Sequence, residues 1–228
     1  MSVRALRRGS IAASRVTAPA TVNVFSQNGT AGNYTSTPDS AGNSITSDID
    51  IRVKAAAADW TPAGTQVLMA KWNVERSWLF VIDPSALRVS ISENGSTSTA
   101  ASSSANTGFV DGTAHWVRVT WRNSDNRVQF FTSEDGTSWT QLGTDQTISL
   151  TGIFNSSEAV YIGGLPASST FNGYIHKAEL RNGIDGTVVQ SFDATAVTKL
   201  GTRNPSSVAA GGPWTMTGSA WDWTQAAP

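Results

Sequence analysis

Asp48 and Asp50 are the nearest approach in this sequence to a catalytic pair of acids, because one residue separates them in a segment that alternates like a β-strand. Residues two apart in a strand point to the same face, and retaining glycoside hydrolysis needs two carboxyl groups about 5 Å apart. Both residues are Asp, however, and the next positions on that face are Arg52 and Lys54. The sequence therefore predicts a solvated strand face with ion pairs across residues 48–54, and not an active site.

The remaining reactive side chains also lack a catalytic or metal-binding pattern. The two histidines, His115 and His176, have no cysteine partner, no close-spaced second histidine and no acid at a ligand spacing. No serine lies in a nucleophile elbow, and no glycine-rich segment matches a phosphate-binding loop. We therefore predict that the chain is not an enzyme and that both histidines are packed or surface residues.

The N-terminal segment differs in charge from the rest of the chain. Residues 1–38 carry four arginines and no acid, a charge of +4, which leaves 12 bases and 17 acids, a charge of -5, for the remainder. After Arg8 the longest apolar stretch is residues 11–13, so we predict no signal peptide and synthesis in the cytoplasm. Guanidinium groups without a neighbouring acid can form paired hydrogen bonds with the carboxylates of an acidic protein surface. We predict that residues 1–27 form a short, extended basic arm that binds other proteins through Arg4, Arg7, Arg8 and Arg15.

From Val22 onward the chain alternates apolar and polar residues in short segments separated by turn residues, which is typical of half-buried antiparallel strands. Twelve strands at this spacing predict a two-layer β-sandwich. The Ser-rich stretch 94–108 has too little apolar content to pack a core and is predicted to be a surface loop. The predicted strands lie at residues 22–25, 33–37, 47–57, 65–72, 77–83, 86–92, 115–123, 126–133, 138–142, 159–163, 172–181 and 187–193.

The overall composition excludes several classes of partner. Charged residues make up 14% of the chain and the net charge is -1, so no strong field draws the protein to nucleic acid or to an anionic membrane. No apolar run approaches the roughly 20 residues that cross a bilayer. The chain has no cysteine, so its fold needs no disulfide. We predict no nucleic-acid partner and no membrane insertion.

The order of the segments resembles a known fold family. The most specific segments are DGTAHWVRVTW and VYIGG, and the second of these is followed by FNGYIHKAEL. Together with ITSDIDIRV, which precedes them, these segments are similar to the laminin G-like jelly roll of the concanavalin superfamily over residues 30–194. More narrowly, the chain resembles laminin G-like domains in tail and virion proteins of phages that infect actinobacteria, through NYTSTPDS, DGTSWTQLG and RNGIDGTVV. The resemblance implies an all-β fold, a two-sheet antiparallel jelly-roll sandwich, over residues 28–228 with a C-terminal strand or tail.

The resemblance also sorts the strand residues by face. Val117, Val119 and Trp121 match inward positions of the family, so the residues between them face outward, as do Asp50 and Arg52 on a second strand. We predict a core that contains Val117, Val119, Trp121, Phe130, Ile162 and Leu180. If the outward side chains belong to neighbouring strands of the concave sheet, they form a shelf of aromatic and charged groups that suits a glycan or a protein partner. This predicted shelf comprises Asp50, Arg52, Trp116, Arg118, Gln129 and Phe131.

Two further expectations follow from the family. Many of its jelly rolls hold a structural Ca²⁺ with Asp, Asn and backbone oxygens, and Asp39 or Asp193 is a candidate ligand here. Relatives that hydrolyse glucans carry Glu-x-Asp-x-Glu along one strand, and this sequence has no such string. We expect no other cofactor and no hydrolysis.

Three functions remain open. The chain could be a minor tail or tail-tip virion protein whose arm binds other virion proteins and whose jelly roll binds a host surface polysaccharide. It could instead be a capsid decoration or joining protein with an architectural role. A free lectin or glycosidase is the third alternative, and the missing signal peptide and acid motif count against it. In the first two cases we expect a virion location after synthesis in the host cytoplasm, and a homo-oligomer in the particle.

Overall fold

A computed structural model describes residues 20–84, 86–168, 170–196, 214–218 and 221–228. The four arginines predicted to anchor the arm, Arg4, Arg7, Arg8 and Arg15, lie outside these residues. No helix in the described part of the chain is long and apolar enough to cross a membrane.

The described residues form two antiparallel sheets. The nine-stranded sheet has the order β10-β9-β8-β3-β13-β1-β16, with β11 also paired to β9 and β14 to β13. Its strands are β1 (Val22–Asn28), β3 (Ile49–Ala57), β8 (His115–Arg122), β9 (Arg127–Ser133), β10 (Thr140–Gln141), β11 (Gln146–Thr147), β13 (Asn172–Asn182), β14 (Thr187–Asp193) and β16 (Trp221–Ala226).

The seven-stranded sheet has the order β15-β2-β12-β4-β5-β6-β7. Two short 3₁₀ turns, Ala41–Asn43 and Ala194–Ala196, lie in connections between strands. The strands of this sheet are β2 (Tyr34–Thr37), β4 (Gln66–Trp72), β5 (Arg76–Asp83), β6 (Ala86–Ile91), β7 (Thr99–Ser102), β12 (Val160–Ile162) and β15 (Thr215–Thr217).

The core lies between the sheets and confirms the predicted inner face. In the β3 and β8 register, Ile51 is opposite Val119 and Val53 is opposite Val117, and all four are buried. Side chains directly opposite in an antiparallel pair share a face, so these residues pack toward the other sheet. The predicted core residues are all at most 1% exposed: Val117, Val119, Trp121, Phe130, Ile162 and Leu180.

The structure differs from the sequence analysis at both ends of the predicted jelly roll. The strand predicted at residues 22–25 is confirmed and is longer than predicted, because β1 runs from Val22 to Asn28 through the end of the segment assigned to the arm, between β13 and β16 in the nine-stranded sheet. Two strands near the C-terminus, β15 and β16, extend the two sheets beyond the last strand that alternation predicted. The Ser-rich stretch predicted to be a loop contains β7, an edge strand paired with β6. A four-residue edge strand with few apolar side chains leaves no alternation to detect.

Candidate functional site

A buried ion network lies on the outer face of the nine-stranded sheet. The carboxylate of Asp50 accepts hydrogen bonds from Nε and Nη2 of Arg52 at 3.1 and 2.7 Å and from Nε and Nη2 of Arg118 at 2.9 and 2.8 Å. Asp50 is 0% exposed, and the two arginines are 7% and 5% exposed. Arg52 and Arg118 are directly opposite in the β3 and β8 register, so Asp50 reduces the repulsion between two like charges.

Asp185 completes this network from the β13–β14 hairpin. Its backbone N–H donates to Asp50 Oδ2 at 3.0 Å, and its Oδ1 accepts from Nη2 of both Arg118, at 2.9 Å, and Arg52. Partial burial raises the pKa of Asp185, but the hydrogen bonds and charges of Arg118 and Arg52 outweigh it and hold the pKa below its ordinary value. Burial likewise lowers the pKa of Arg52, but Asp50 and Asp185 outweigh it and raise that pKa. The network therefore contains two guanidinium and two carboxylate groups, and its charges balance.

Aromatic rings lie against both guanidinium groups. The Cζ atoms of Arg52 and Arg118 each lie 5.4 Å from the ring centroid of Trp139, and Arg118 lies 5.1 Å from that of Phe131. Trp139 comes from the β9–β10 connection and is partly buried. Cation–π contacts of this kind fix the planes of the guanidinium groups and shield them from water.

A cavity of about 660 Å³ opens beside the network. We call it the outer cavity. Pockets of roughly 300 to 1,000 Å³ are the usual size for small ligands, so one or two sugar rings fit this volume. Phe131 and Gln129 are partly exposed, and Gln129 Nε2 donates to Asp145 Oδ1 at 2.9 Å. The residues that line the cavity are Asp48, Arg118, Thr120, Arg122, Arg127, Gln129, Phe131, Gly183, Ile184 and Asp185.

The predicted shelf is thus only partly accessible. Its six residues do lie on neighbouring strands, β3, β8 and β9, as predicted. Asp50, Arg52 and Arg118 are buried, however, so the expectation of a solvated ion-paired face is wrong at Asp50. The side chains that cover them, Trp139 and Asp185, belong to hairpin connections, and strand alternation carries no information about such residues.

Trp116 does not contribute an accessible ring. It is 9% exposed, and its ring centroid lies 6.4 Å from that of Trp139 in an edge-to-face contact. The β9–β10 turn packs on it so closely that a Cβ at Gly136 would lie 2.7 Å from Trp116 Cε2. Phe131 and Gln129 are therefore the partly exposed residues of the predicted shelf.

The two candidate calcium ligands are both paired with lysine. Asp39 Oδ1 lies 2.6 Å from Lys71 Nζ, and Asp193 Oδ2 lies 2.8 Å from Lys177 Nζ. In the described part of the chain no group of three or more His, Cys, Asp or Glu side chains is placed to hold a metal ion. An ammonium group thus lies where each of these carboxylates would meet a cation.

The histidines are packed residues. His115 Nδ1 lies 2.9 Å from Glu134 Oε1, and its ring stacks on Phe109 with centroids 3.8 Å apart. His176 is 1% exposed, and within the described part of the chain its ring nitrogens have no hydrogen-bond partner. Burial, followed by the charges of Lys54 and Lys177, lowers the pKa of His176 to about 4.

Comparison with known proteins identifies the fold. No protein-family model matches the chain, and no curated protein matches its sequence. A protein from Bacteroides ovatus to which carbohydrate binding is provisionally assigned superposes with a TM-score of 0.57 and 10% identity, over 90% of this chain and 58% of that one. The similarity establishes the fold, an all-β, two-sheet antiparallel jelly roll, which confirms the fold class predicted from the sequence.

Two other solved structures show weaker similarity. A heptameric pentraxin from Limulus polyphemus has a TM-score of 0.49 and 11% identity, over 71% of this chain and 76% of that one. Domains LG4-5 of the mouse laminin α1 chain have a TM-score of 0.47 and 16% identity, over 79% of this chain and 47% of that one.

Proposed function

We propose that this chain is a non-catalytic binding module of a virion and that it binds a host surface glycan in the outer cavity. The observation that carries the proposal is the combination of a cavity of about 660 Å³ with a floor that is fixed in place. Arg118 is held by Asp50 on one side and by two aromatic rings on the other. A site whose polar groups are already immobilised loses little entropy when a ligand binds.

The groups that face the cavity suit a pyranose. Phe131 offers a partly exposed ring for the apolar face of a sugar, while Gln129 and Arg127 offer hydrogen bonds for its hydroxyl groups. Arg127 Nη1 lies 3.4 Å from Asp145 Oδ2, a long and exposed contact that a ligand hydroxyl can replace at little cost.

The acids of the cavity argue for binding without hydrolysis. A general acid needs a raised pKa, whereas the pKa of Asp185 is held below its ordinary value. Asp48 Oδ1 accepts the backbone N–H of Asn123 at 2.8 Å. Asp50 accepts five hydrogen bonds from described residues and is closed off from solvent, so it cannot reach a substrate.

The virion assignment rests on the sequence resemblance, and two of the three similar segments lie at the arginine pair. DGTSWTQLG spans residues 135–143 and contains Trp139, and RNGIDGTVV spans residues 181–189 and contains Asp185. Two of the three segments that resemble phage virion proteins therefore contribute side chains that cover the arginine pair. We propose in addition that residues 1–20 bind other virion proteins and that the chain forms a homo-oligomer in the particle.

Glycan binding is tested with the purified full-length chain on an array of actinobacterial cell-wall and capsular glycans. We expect binding by the unaltered chain and at least a tenfold loss for Phe131→Ala, because the stacking surface is removed. Arg88→Ala is a matched control, since Arg88 pairs with Asp83 on the seven-stranded sheet. If no glycan binds, or if Phe131→Ala binds as the unaltered chain does, the glycan proposal is wrong.

The virion proposal is tested by deleting residues 2–20, which precede β1. The truncated chain should keep its melting temperature and fail to enter assembled particles. Normal incorporation of the truncated chain would show that the arm is not the anchor. A particle map in which a neighbouring subunit fills the outer cavity would assign an architectural decoration role instead.

A further inference from the structure

Asp185 lines the outer cavity, and its carboxylate, which is open to water, contacts the guanidinium groups of both Arg52 and Arg118. We propose that the cavity selects glycans bearing a carboxylate, and that Asp185 holds the place of the sugar carboxylate until the ligand binds. The inference rests on the proposed glycan-binding function and specifies its substrate class.

The two arginines are arranged to receive a carboxylate from the cavity side. Nη2 of Arg52 and Nη2 of Arg118 donate to the same oxygen, Asp185 Oδ1. The opposite partner of both arginines is Asp50, which keeps each guanidinium in place through two hydrogen bonds. Removal of the Asp185 carboxylate would leave two fixed Nη2 donors, one of them on Arg118, which lines the outer cavity, and paired guanidinium donors bind carboxylates strongly.

Asp185 can leave its place, whereas Asp50 cannot. The side chain of Asp185 is 67% exposed, while that of Asp50 is 0% exposed. The backbone of the turn is held separately, because the N–H of Asp185 donates to Asp50 Oδ2 and the N–H of Gly186 donates to the carbonyl of Gly183 at 3.0 Å. Rotation of the Asp185 side chain into solvent therefore leaves the hairpin unchanged.

Charge balance makes the exchange selective. The network holds two positive and two negative groups, and a ligand carboxylate that replaces Asp185 preserves this balance. A neutral sugar in the same place would leave one buried guanidinium charge without a partner, which is strongly unfavourable. The same reasoning makes Asp185 an internal competitor that weakens the apparent affinity for an acidic glycan.

The other cavity side chains favour an acidic sugar over an acidic peptide. Phe131 lies beside Arg118, with 5.1 Å between the ring centroid and Cζ, so a ligand whose carboxylate reaches Arg118 can place an apolar face on the ring. A uronic acid carries its carboxylate on such a ring, together with hydroxyl groups for Gln129 and Arg127. Binding of an acidic peptide is retained as an outcome of the test.

The experiment compares trigalacturonic acid with its fully methyl-esterified form, which has the same rings and no charge, by titration calorimetry on the full chain. Asp185→Gly removes the competing carboxylate, and glycine adopts without strain the φ of +54° found at this position. We expect the unaltered chain to prefer the acid, and Asp185→Gly to bind the acid at least tenfold more tightly with no change for the ester. Asp185→Asn keeps the shape of the side chain and removes its charge. Its affinity for the acid should therefore lie between those of the unaltered chain and Asp185→Gly. Thermal melting of each variant verifies folding.

Equal affinity of Asp185→Gly and the unaltered chain for the acid, or an equal gain for the ester, would overturn the inference. Neutral glycans could bind on the array, bind more weakly to Phe131→Ala and bind equally well to Asp185→Gly and the unaltered chain. In that case the proposed glycan binding would stand, and only its specificity for acidic glycans would be wrong. An array with no binding at all removes the function and the inference together. If Asp185→Gly binds a polyglutamate peptide more tightly than the unaltered chain does, but does not bind trigalacturonic acid more tightly, the ligand is not a sugar.

Discussion

Lys71 Nζ lies 2.6 Å from Asp39 Oδ1, and this ion pair joins a buried group to a partly exposed one. The Lys71 side chain is 1% exposed and that of Asp39 is 36% exposed. Lys71 is opposite Trp78, a core residue, so its side chain lies on the inner face of the seven-stranded sheet. Asn43 Oδ1, at 3.2 Å, and Ser44 Oγ, at 3.4 Å, complete a set of oxygen atoms around the ammonium.

This asymmetry predicts unequal effects of removing the two partners. Asp39→Asn leaves a buried ammonium without a counter-charge and should lower the free energy of unfolding by about 2 to 3 kcal/mol, less than for a fully buried pair because Asp39 is partly exposed. Lys71→Met removes the buried charge and leaves a carboxylate that water can reach, so it should cost under about 1.5 kcal/mol. Urea denaturation measures both. A larger loss for Lys71→Met than for Asp39→Asn would contradict this account.

The same pairing predicts that the fold does not depend on calcium. Ammonium groups already neutralise Asp39 and Asp193, so EDTA and added Ca²⁺ should both leave the melting temperature unchanged. Differential scanning fluorimetry provides the measurement. A Ca²⁺-dependent increase that disappears in Asp193→Asn would instead identify that residue as a ligand.

Phe130 and Phe131 are neighbours in β9 with opposite environments, which makes them a matched pair. Phe130 is buried in the core, so Phe130→Ala should lower the free energy of unfolding by about 3 to 5 kcal/mol. Phe131 is only partly buried, so Phe131→Ala should cost about 1 kcal/mol while it impairs binding. Chemical denaturation of the two variants measures the two losses in the free energy of unfolding. Similar losses would show that the two rings are buried to a similar extent.

His176 predicts a loss of stability in mild acid. Burial lowers its pKa to about 4, below the ordinary value of 6.5, so the unfolded chain binds a proton first as the pH falls. The neutral ring therefore contributes stability that is complete above about pH 7 and is lost toward pH 4, with a loss of about 2 kcal/mol by pH 5. His176→Leu should not show this part of the pH dependence, whereas His115→Gln should retain it. Unfolding curves at pH 7 and pH 5 test this, and identical pH dependence in His176→Leu would refute it.

Sequence alternation was sufficient for the inner face of the sandwich. Val117, Val119 and Trp121 recur every second residue, and each is buried where that period places it. The fold class follows from such segments because a half-buried strand repeats its environment every two residues. β15 and β7 are too short for that repeat to be recognised, and they were not predicted.

The candidate site was predicted only in part, for a different physical reason. Alternation correctly placed Asp50 and Arg118 on one face, but it treated that face as solvated. Their burial depends on Trp139 and Asp185, which are 21 and 67 residues beyond Arg118 in the chain. Long-range packing of hairpin connections onto a sheet follows from tertiary structure and has no local periodic signal.

The buried ion network also limits how β3 and β8 can align along their length. A shift of one residue between them would turn every core side chain of one strand outward, and burial of apolar surface alone forbids it. A shift of two residues would keep apolar side chains inside, so the alternating pattern cannot distinguish it from the native register. A shift of two residues that places Arg118 opposite Lys54 would, however, move Arg118 about 7 Å further along the strand and separate it from Asp50, leaving buried charges unpaired. The pairing of Asp50 with Arg118 thus excludes one of the two shifted registers that the hydrophobic pattern permits.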